Sequence, residues 1–317
     1  MEQHGLEWYG ERATLNEQND DYNKIEYKCD GFGILLDYAL FPGINLVFMD
    51  FKCTDTFREP MPNRNIIEIR HYQKGRVEFE LKNNKVFHMK EGEFCINAIA
   101  NVPAVYSFPF GYSVGLSCVI DKDAVDEKTI KIFAYHNIDI LNLGSELEIE
   151  NRWFLCRTPQ SLLHIFDELY AVKGVERQGF FRIKLLELLY HINQLRIEEQ
   201  YEVTYYTKEQ IEIIKRIRRQ LIDNVDKKLS IEALLQHEPM SKVTFQAIFK
   251  QIYGDTPYAH IKKYKMNLVA MYLRETDQTI TQIAGELGYS NISKFSKAFQ
   301  KVFGLLPKDY RRGKKST

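Results

Sequence analysis

Two stretches of the last hundred residues share one layout, and this repetition constrains the fold more than any other feature of the chain. SIEALLQHEPMSKVTFQAIFKQIYGDTP runs from Ser230 to Pro257, and TITQIAGELGYSNISKFSKAFQKVFGLLP from Thr279 to Pro307. Ser230 and Ile231 match Thr279 and Ile280 at an offset of 49; Phe245, Phe249, Gly254 and Pro257 match Phe295, Phe299, Gly304 and Pro307 at an offset of 50. A fixed offset of this kind marks a duplicated supersecondary unit. Each copy reads as helix, tight turn, helix. Thr279 and Gln282 have capping-box spacing, Ser241 and Ser290 are expected N-caps, and Gly288 and Gly254 are expected to end helices in the left-handed conformation. Phe245, Ile248, Phe249 and Ile252 form an i, i+3, i+4, i+7 apolar stripe, and Phe295, Ala298, Phe299 and Val302 form its counterpart. Thr256 and Pro257 open a long helix, TPYAHIKKYKMNLVAMYLRE, expected to join the copies as a strut.

The stripes leave a polar face outside. It carries Lys242, Thr244, Gln246 and Lys250 in the first copy, and Asn291, Ser293, Lys294, Lys297 and Lys301 in the second. An α-helix fits the major groove of double-stranded DNA, where polar side chains of its N-terminal half reach base edges and lysines meet phosphates. Two such helices held by a strut would enter successive grooves roughly 34 Å apart. Charge agrees. The whole chain is neutral, but residues 208–317 hold 21 Lys and Arg against 11 Asp and Glu, and residues 1–207 hold 22 against 32. A net +10 on one part suits a polyanionic partner.

The same residues carry a family resemblance. The two copies, densest at IAGELGYSNISKFSKAFQKVFG with Pro307 and Tyr310-Arg311-Arg312, resemble the DNA-binding domain of AraC/XylS-family bacterial transcription regulators, nearest the siderophore-regulator-like (PchR-like) branch. The resemblance covers about 100 residues. It implies tandem helix-turn-helix units joined by a long helix, an N-terminal cupin-like barrel that binds a small effector, and promoter DNA and RNA polymerase as partners, with activation as the usual outcome. It places Val243, Gln246 and Ala247 of the first unit, and Ile292, Ser293 and Lys297 of the second, against bases. Many relatives carry arginine at the position of Ala247; alanine cannot make the bidentate guanine contact, so the first unit is expected to contribute less to specificity.

The N-terminal half reads as β from residue 25 to about 120. INLVFMDF, NIIEIRHY, RVEFEL and KVFHM are separated by turn chemistry, and Val77, Phe79 and Leu81 alternate with Arg76, Glu78 and Glu80 as in a half-buried strand. From residue 158 the period becomes helical: Leu162, Ile165, Phe166 and Leu169, then Phe181, Leu185, Leu188, Leu189 and Ile192. These helices are expected to cover the barrel or to dimerise the chain, with dimerisation favoured. The stretch 198–208 is expected to be a linker.

The expected fold is therefore α+β: a cupin-like β-barrel with a helical dimerisation segment over 1–205, then an all-α tandem helix-turn-helix domain over 206–317. No signal peptide or membrane span is legible, and five cysteines without a CxxC pair suit a reduced cytoplasm and give no zinc site. Neither His71-Tyr72-Gln73 nor His88-Met89-Lys90 makes the HxH pattern that metal-binding cupin enzymes carry, and no catalytic constellation or phosphate loop stands out. No metal and no cofactor is expected, nor any enzymatic activity. Effector candidates are Arg70, His71, Tyr72, Arg76 and Glu78 as polar contacts and Phe108, Phe110 and Tyr112 as apolar walls. The alternatives are a cupin-type metalloenzyme or repair protein with a DNA-targeting tail, and a ligand-independent architectural DNA binder.

Overall fold

The computed structural model describes residues 9–58, 64–98, 103, 105–150, 152–172, 178–196, 203–227 and 229–314. Residues 198–202 of the expected linker lie outside these. The chain divides into two compact units, Met1–Thr207 and Lys208–Thr317. No helix among the described residues is long and apolar enough to cross a membrane.

The first unit is a curled antiparallel sheet with helices on its outer face. Its strands are β1 (Ala13–Gln18), β2 (Asn23–Tyr27), β3 (Phe32–Phe41), β4 (Ile44–Lys52), β5 (Thr56–Phe57), β6 (Ile66–Glu80), β7 (Lys85–Lys90), β8 (Glu93–Ala98), β9 (Val105–Ser107), β10 (Ser113–Asp121), β11 (Phe154–Arg157) and β12 (Tyr206–Thr207). The main path runs β1-β2-β3-β4-β10-β6-β7-β12. The long strand β6 organises the curl. Its first half pairs with β10 and β8, its second half with β7 and β9, and a bulge opposite Val114 and Gly115 separates the two. Bulges bend and twist a strand, which lets one strand serve two walls.

Alternation along the strands sorts side chains between two cores. Val47, Phe51, Tyr72, Val77, Phe79, Phe87, Cys95, Trp153 and Leu155 fill the inside of the curl. Leu46, Phe48, Ile67, Ile69, Phe94, Ile96, Leu116 and Ile120 face the other way. They meet α1 (Glu127–Tyr135), α2 (Gln160–Ala171) and α3 (Gln178–Ile192). The stripes of α2 and α3 expected to mediate dimerisation lie in this core: Leu162, Ile165, Phe166 and Leu169, with Phe181, Leu185, Leu188, Leu189 and Ile192, are all buried against the sheet. With both faces of the central strands covered, alternation no longer means apolar against exposed. Glu78, expected on a half-buried strand's open face, is itself buried.

The second unit is all-α: α4 (Lys208–Asp223), α5 (Ile231–Leu235), α6 (Lys242–Tyr253), α7 (Pro257–Glu275), α8 (Ile280–Glu286), α9 (Ile292–Phe303) and α10 (Pro307–Lys314). Helix α7 is the long element between the copies. Its Met266, Val269, Ala270 and Leu273 enter one core with Ile283, Ala284, Leu287, Phe295, Ala298 and Phe299 of the second copy. Helix α4 packs on α6 and α7. There Arg218 Nε donates to His260 Nε2 at 3.0 Å, and the guanidinium lies 4.8 Å from the Tyr253 ring centroid. Burial first, then the Arg218 charge, pulls the His260 pKa down to about 4, so the imidazole is a neutral acceptor at neutral pH.

Candidate nucleic-acid interface

Each copy is built by the same capping chemistry. In the first, the Ser230 hydroxyl accepts from Ala233 N, the Ser241 hydroxyl accepts from Thr244 N at 3.1 Å, and Gly254 ends α6 at φ 80°. In the second, Thr279 and Gln282 form a complete capping box, and Gly304 ends α9 at φ 74°. Gly288, between α8 and α9, has φ +75°, and a Cβ there would collide with the Asp226 carbonyl oxygen. Only glycine satisfies both demands. The N-cap of α9 is Asn291, not Ser290: its Oδ1 accepts from Lys294 N at 2.9 Å. The offset of 50 already aligns Asn291 with Ser241, and the helix begins one residue later than the serine implies.

The buried stripes match the repeat, with one exception. Phe245, Ile248, Phe249 and Ile252 are buried in α6, and Phe295, Ala298 and Phe299 in α9, whereas Val302 is 39% exposed. Phe303 takes over its packing, stacked 4.6 Å from Phe299 and 5.3 Å from Tyr310 of α10. The first copy is followed by α7 instead of such a cap, so Ile252 stays inside.

The opposite faces are open. Lys242, Val243, Gln246, Ala247 and Lys250 are exposed on α6, and Thr244 is half-buried with its hydroxyl bonded to that of Ser241 at 2.8 Å. Asn291 is exposed at the head of α9, and Ile292, Ser293, Lys294 and Lys297 along it. Sequence reasoning missed how unevenly these cations are held. Lys242 is ion-paired with Glu232 of α5, and this lysine, with the Ser230 hydroxyl second, pulls the Glu232 carboxyl down to about 2. Arg216 and Lys263 are also paired, with Glu238 and Asp255. Lys250, Lys294, Lys297 and Lys301 are exposed and make no ion pair among the described residues. Three of these four are on α9, at i, i+3 and i+7, which places them along one side. No local spacing announced the Glu232–Lys242 pair, since the two residues are ten apart and meet only through the turn.

The eight effector candidates of the first unit do not converge. His71 points to the helices, its ring stacked 4.1 Å from Phe166, while the neighbouring Tyr72 is buried inside the curl. Arg70 is buried, joined to Glu68 at 2.5 Å and lying 5.4 Å from the Phe79 ring. Glu78 takes the His88 Nε2 at 2.9 Å and the Ser107 hydroxyl at 3.2 Å. Phe108 packs 5.0 Å from Phe51, and Arg76 sits 5.7 Å from Phe110, which lies 6.1 Å from the exposed Tyr112. Sequence proximity grouped these residues; period-two alternation along β6 turns His71 away from Arg70 and Tyr72, which both lie near Phe79.

A family model for a helix-turn-helix domain matches residues 234–313. The transcriptional regulator AlkR of Acinetobacter baylyi is 33% identical over 87 residues, which are 27% of this chain and 28% of AlkR. The matched stretch thus spans under a third of that relative. The regulatory protein SoxS of Salmonella typhimurium is 30% identical over 100 residues, covering 32% of this chain and 94% of SoxS. The solved structure of ToxT from Vibrio cholerae aligns with 85% of this chain and 98% of its own at 10% identity, with a TM-score of 0.33. AlkR and SoxS are both named as regulators.

Proposed function

We propose, for a chain that belongs to the AraC family of helix-turn-helix transcription regulators, that α6 and α9 read promoter DNA and that the first unit governs this activity through a small-molecule effector. The observation that carries the reading is the pair of capped helices, buried on matched slots and open on matched faces, with lysines along α9 that make no ion pair among the described residues. Gln246, Ser293 and Lys297 would meet base edges, Val243, Ala247 and Ile292 would make apolar contacts, and Lys242, Lys250 and Lys294 would meet phosphates. Asn291 keeps its amide N–H groups for DNA while its oxygen caps the helix. The second copy would dominate affinity, because the first offers Ala247 where a longer side chain would reach guanine and holds Lys242 in an ion pair.

The finer assignments are inferences from the resemblance. They are the siderophore-regulator-like branch, a cupin-like sensor, activation with RNA polymerase, a cytoplasmic homodimer, and domains meeting near residue 205. With the main stripes of α2 and α3 buried, a homodimer would use what α3 leaves outside, including Ile183 and Tyr190. Effector binding would shift the population between DNA-competent and incompetent arrangements. The discriminating experiment is selection of bound sites from random double-stranded DNA, with and without cell extract as an effector source. Enrichment of a defined motif, altered in strength by extract, supports the reading. Recovery of unenriched DNA would sink it.

A further inference from the structure

At one edge of the first unit the turn between β2 and β3 is clamped to the end of β4. Phe32 pairs with Lys52 and Gly33 with Phe51 in the β3–β4 ladder. Just outside it, Asp30 Oδ1 accepts from Thr54 N at 2.8 Å, and Asp30 Oδ2 accepts from the Thr54 hydroxyl. Gly31 lies so close to Lys52 and Cys53 that a Cβ would run into the Lys52 carbonyl. Cys29 and Cys53 are carried on these two clamped segments, one residue before Asp30 and Thr54, and Cys29 packs against the core cluster that holds Cys53. Cys29 is partly open to solvent, whereas Cys53 is buried beside Phe51 and Phe57.

We propose that Cys29 and Cys53 form a redox-reactive dithiol, which a hydroperoxide closes to a disulfide and a reducing thiol reopens. The partly open Cys29 sulfur attacks one oxygen of the hydroperoxide. The O–O bond breaks, the departing oxygen leaves as water or an alcohol, and Cys29 becomes a sulfenic acid. The Cys53 sulfur then attacks the Cys29 sulfur, the S–O bond breaks, and the hydroxide takes the Cys53 proton to leave as water. Two thiols are oxidised and one hydroperoxide is reduced. Burial, then the neighbouring Cys29 thiol, pushes the Cys53 thiol up to about 12, so it is the resolving partner and not the first attacker. In a reducing compartment such a pair stays open until oxidant arrives, which makes it a sensor and not a staple. Cys95, Cys118 and Cys156 are buried and serve as internal controls.

The dithiol stands or falls independently of DNA binding. Full-length protein is reduced, desalted and treated with hydrogen peroxide, then blocked with an alkylating reagent and digested without reductant. The expected result is a peptide pair linked through Cys29 and Cys53, lighter by about 2 Da than the two free peptides and separated again by dithiothreitol. Cys29→Ser and Cys53→Ser each abolish the link, and Cys53→Ser leaves a trappable sulfenic acid on Cys29. A link to Cys95, Cys118 or Cys156 instead, or Cys29 and Cys53 both still alkylated while other residues oxidise, would overturn the proposal.

Discussion

Glu232 of α5 holds Lys242 at the head of α6 in an ion pair, whereas Lys294, Lys297 and Lys301 of α9 make none among the described residues. The pair is exposed, and screening makes it a weak contributor to stability. Its consequence is competition with phosphate. Glu232→Ala should leave folding intact and strengthen DNA binding a few-fold. It should also steepen the salt dependence by about one unit, the signature of one added phosphate contact. Affinity titrations at several salt concentrations check both; unchanged affinity and slope would take Lys242 out of the interface.

Base-edge contacts behave differently. Gln246→Ala and Lys297→Ala should each weaken specific binding by roughly 1–3 kcal/mol and relax preference at separate positions of the site. Both side chains are exposed, so melting temperature should not move. Competition assays against single-base variants of a selected site read the effect.

The buried slots carry stability instead. Phe249 and Phe299 are fully buried at matched positions of α6 and α9. Alanine at either should cost about 3–5 kcal/mol by removing packing and leaving a cavity. Urea unfolding of the variants, followed by helical circular dichroism, measures it.

Much of this was legible in the sequence because it rests on local chemistry. Thr279 with Gln282, Ser241, Gly254 and the helix-opening Pro257 act within a few residues of themselves, and each sits where its spacing implies. The failures are tertiary. Val302 follows the helical period yet is exposed, because Phe303 and Tyr310 close that end. Glu78 follows the strand period yet is buried, because the sheet is covered on both faces. Arg70 and Tyr72 share one face of their strand, both near Phe79, while His71 between them takes the other, an alternation that their adjacency in sequence hides.

His71 gives the first unit an acid-sensitive joint. The Tyr170 hydroxyl donates to the His71 carbonyl oxygen at 3.0 Å and meets His71 Nδ1 at 3.0 Å. A hydroxyl has one proton, so Nδ1 is the donor in that second bond, and Nε2 is buried with no hydrogen-bond partner among the described residues. Burial pulls the His71 pKa down from 6.5 to about 4. The folded state therefore resists a proton that the unfolded chain accepts. Stability is complete above about pH 6.5 and is lost as pH falls through about 4, by about 3 kcal/mol in all. His71→Phe should flatten this dependence, because the Tyr170 hydroxyl keeps its carbonyl acceptor. Tryptophan fluorescence follows the unit, since both tryptophans, at 8 and 153, belong to it.

The central claim is that two matched helices enter successive major grooves. Methylation-interference footprinting on a selected site tests it most directly, because guanine N7 lies in that groove. The expected footprint has two major-groove segments about one helical turn, roughly 10–10.5 base pairs, apart. Gln246→Ala should weaken one segment and Lys297→Ala the other. A single segment, or two that respond together to either substitution, would contradict the account.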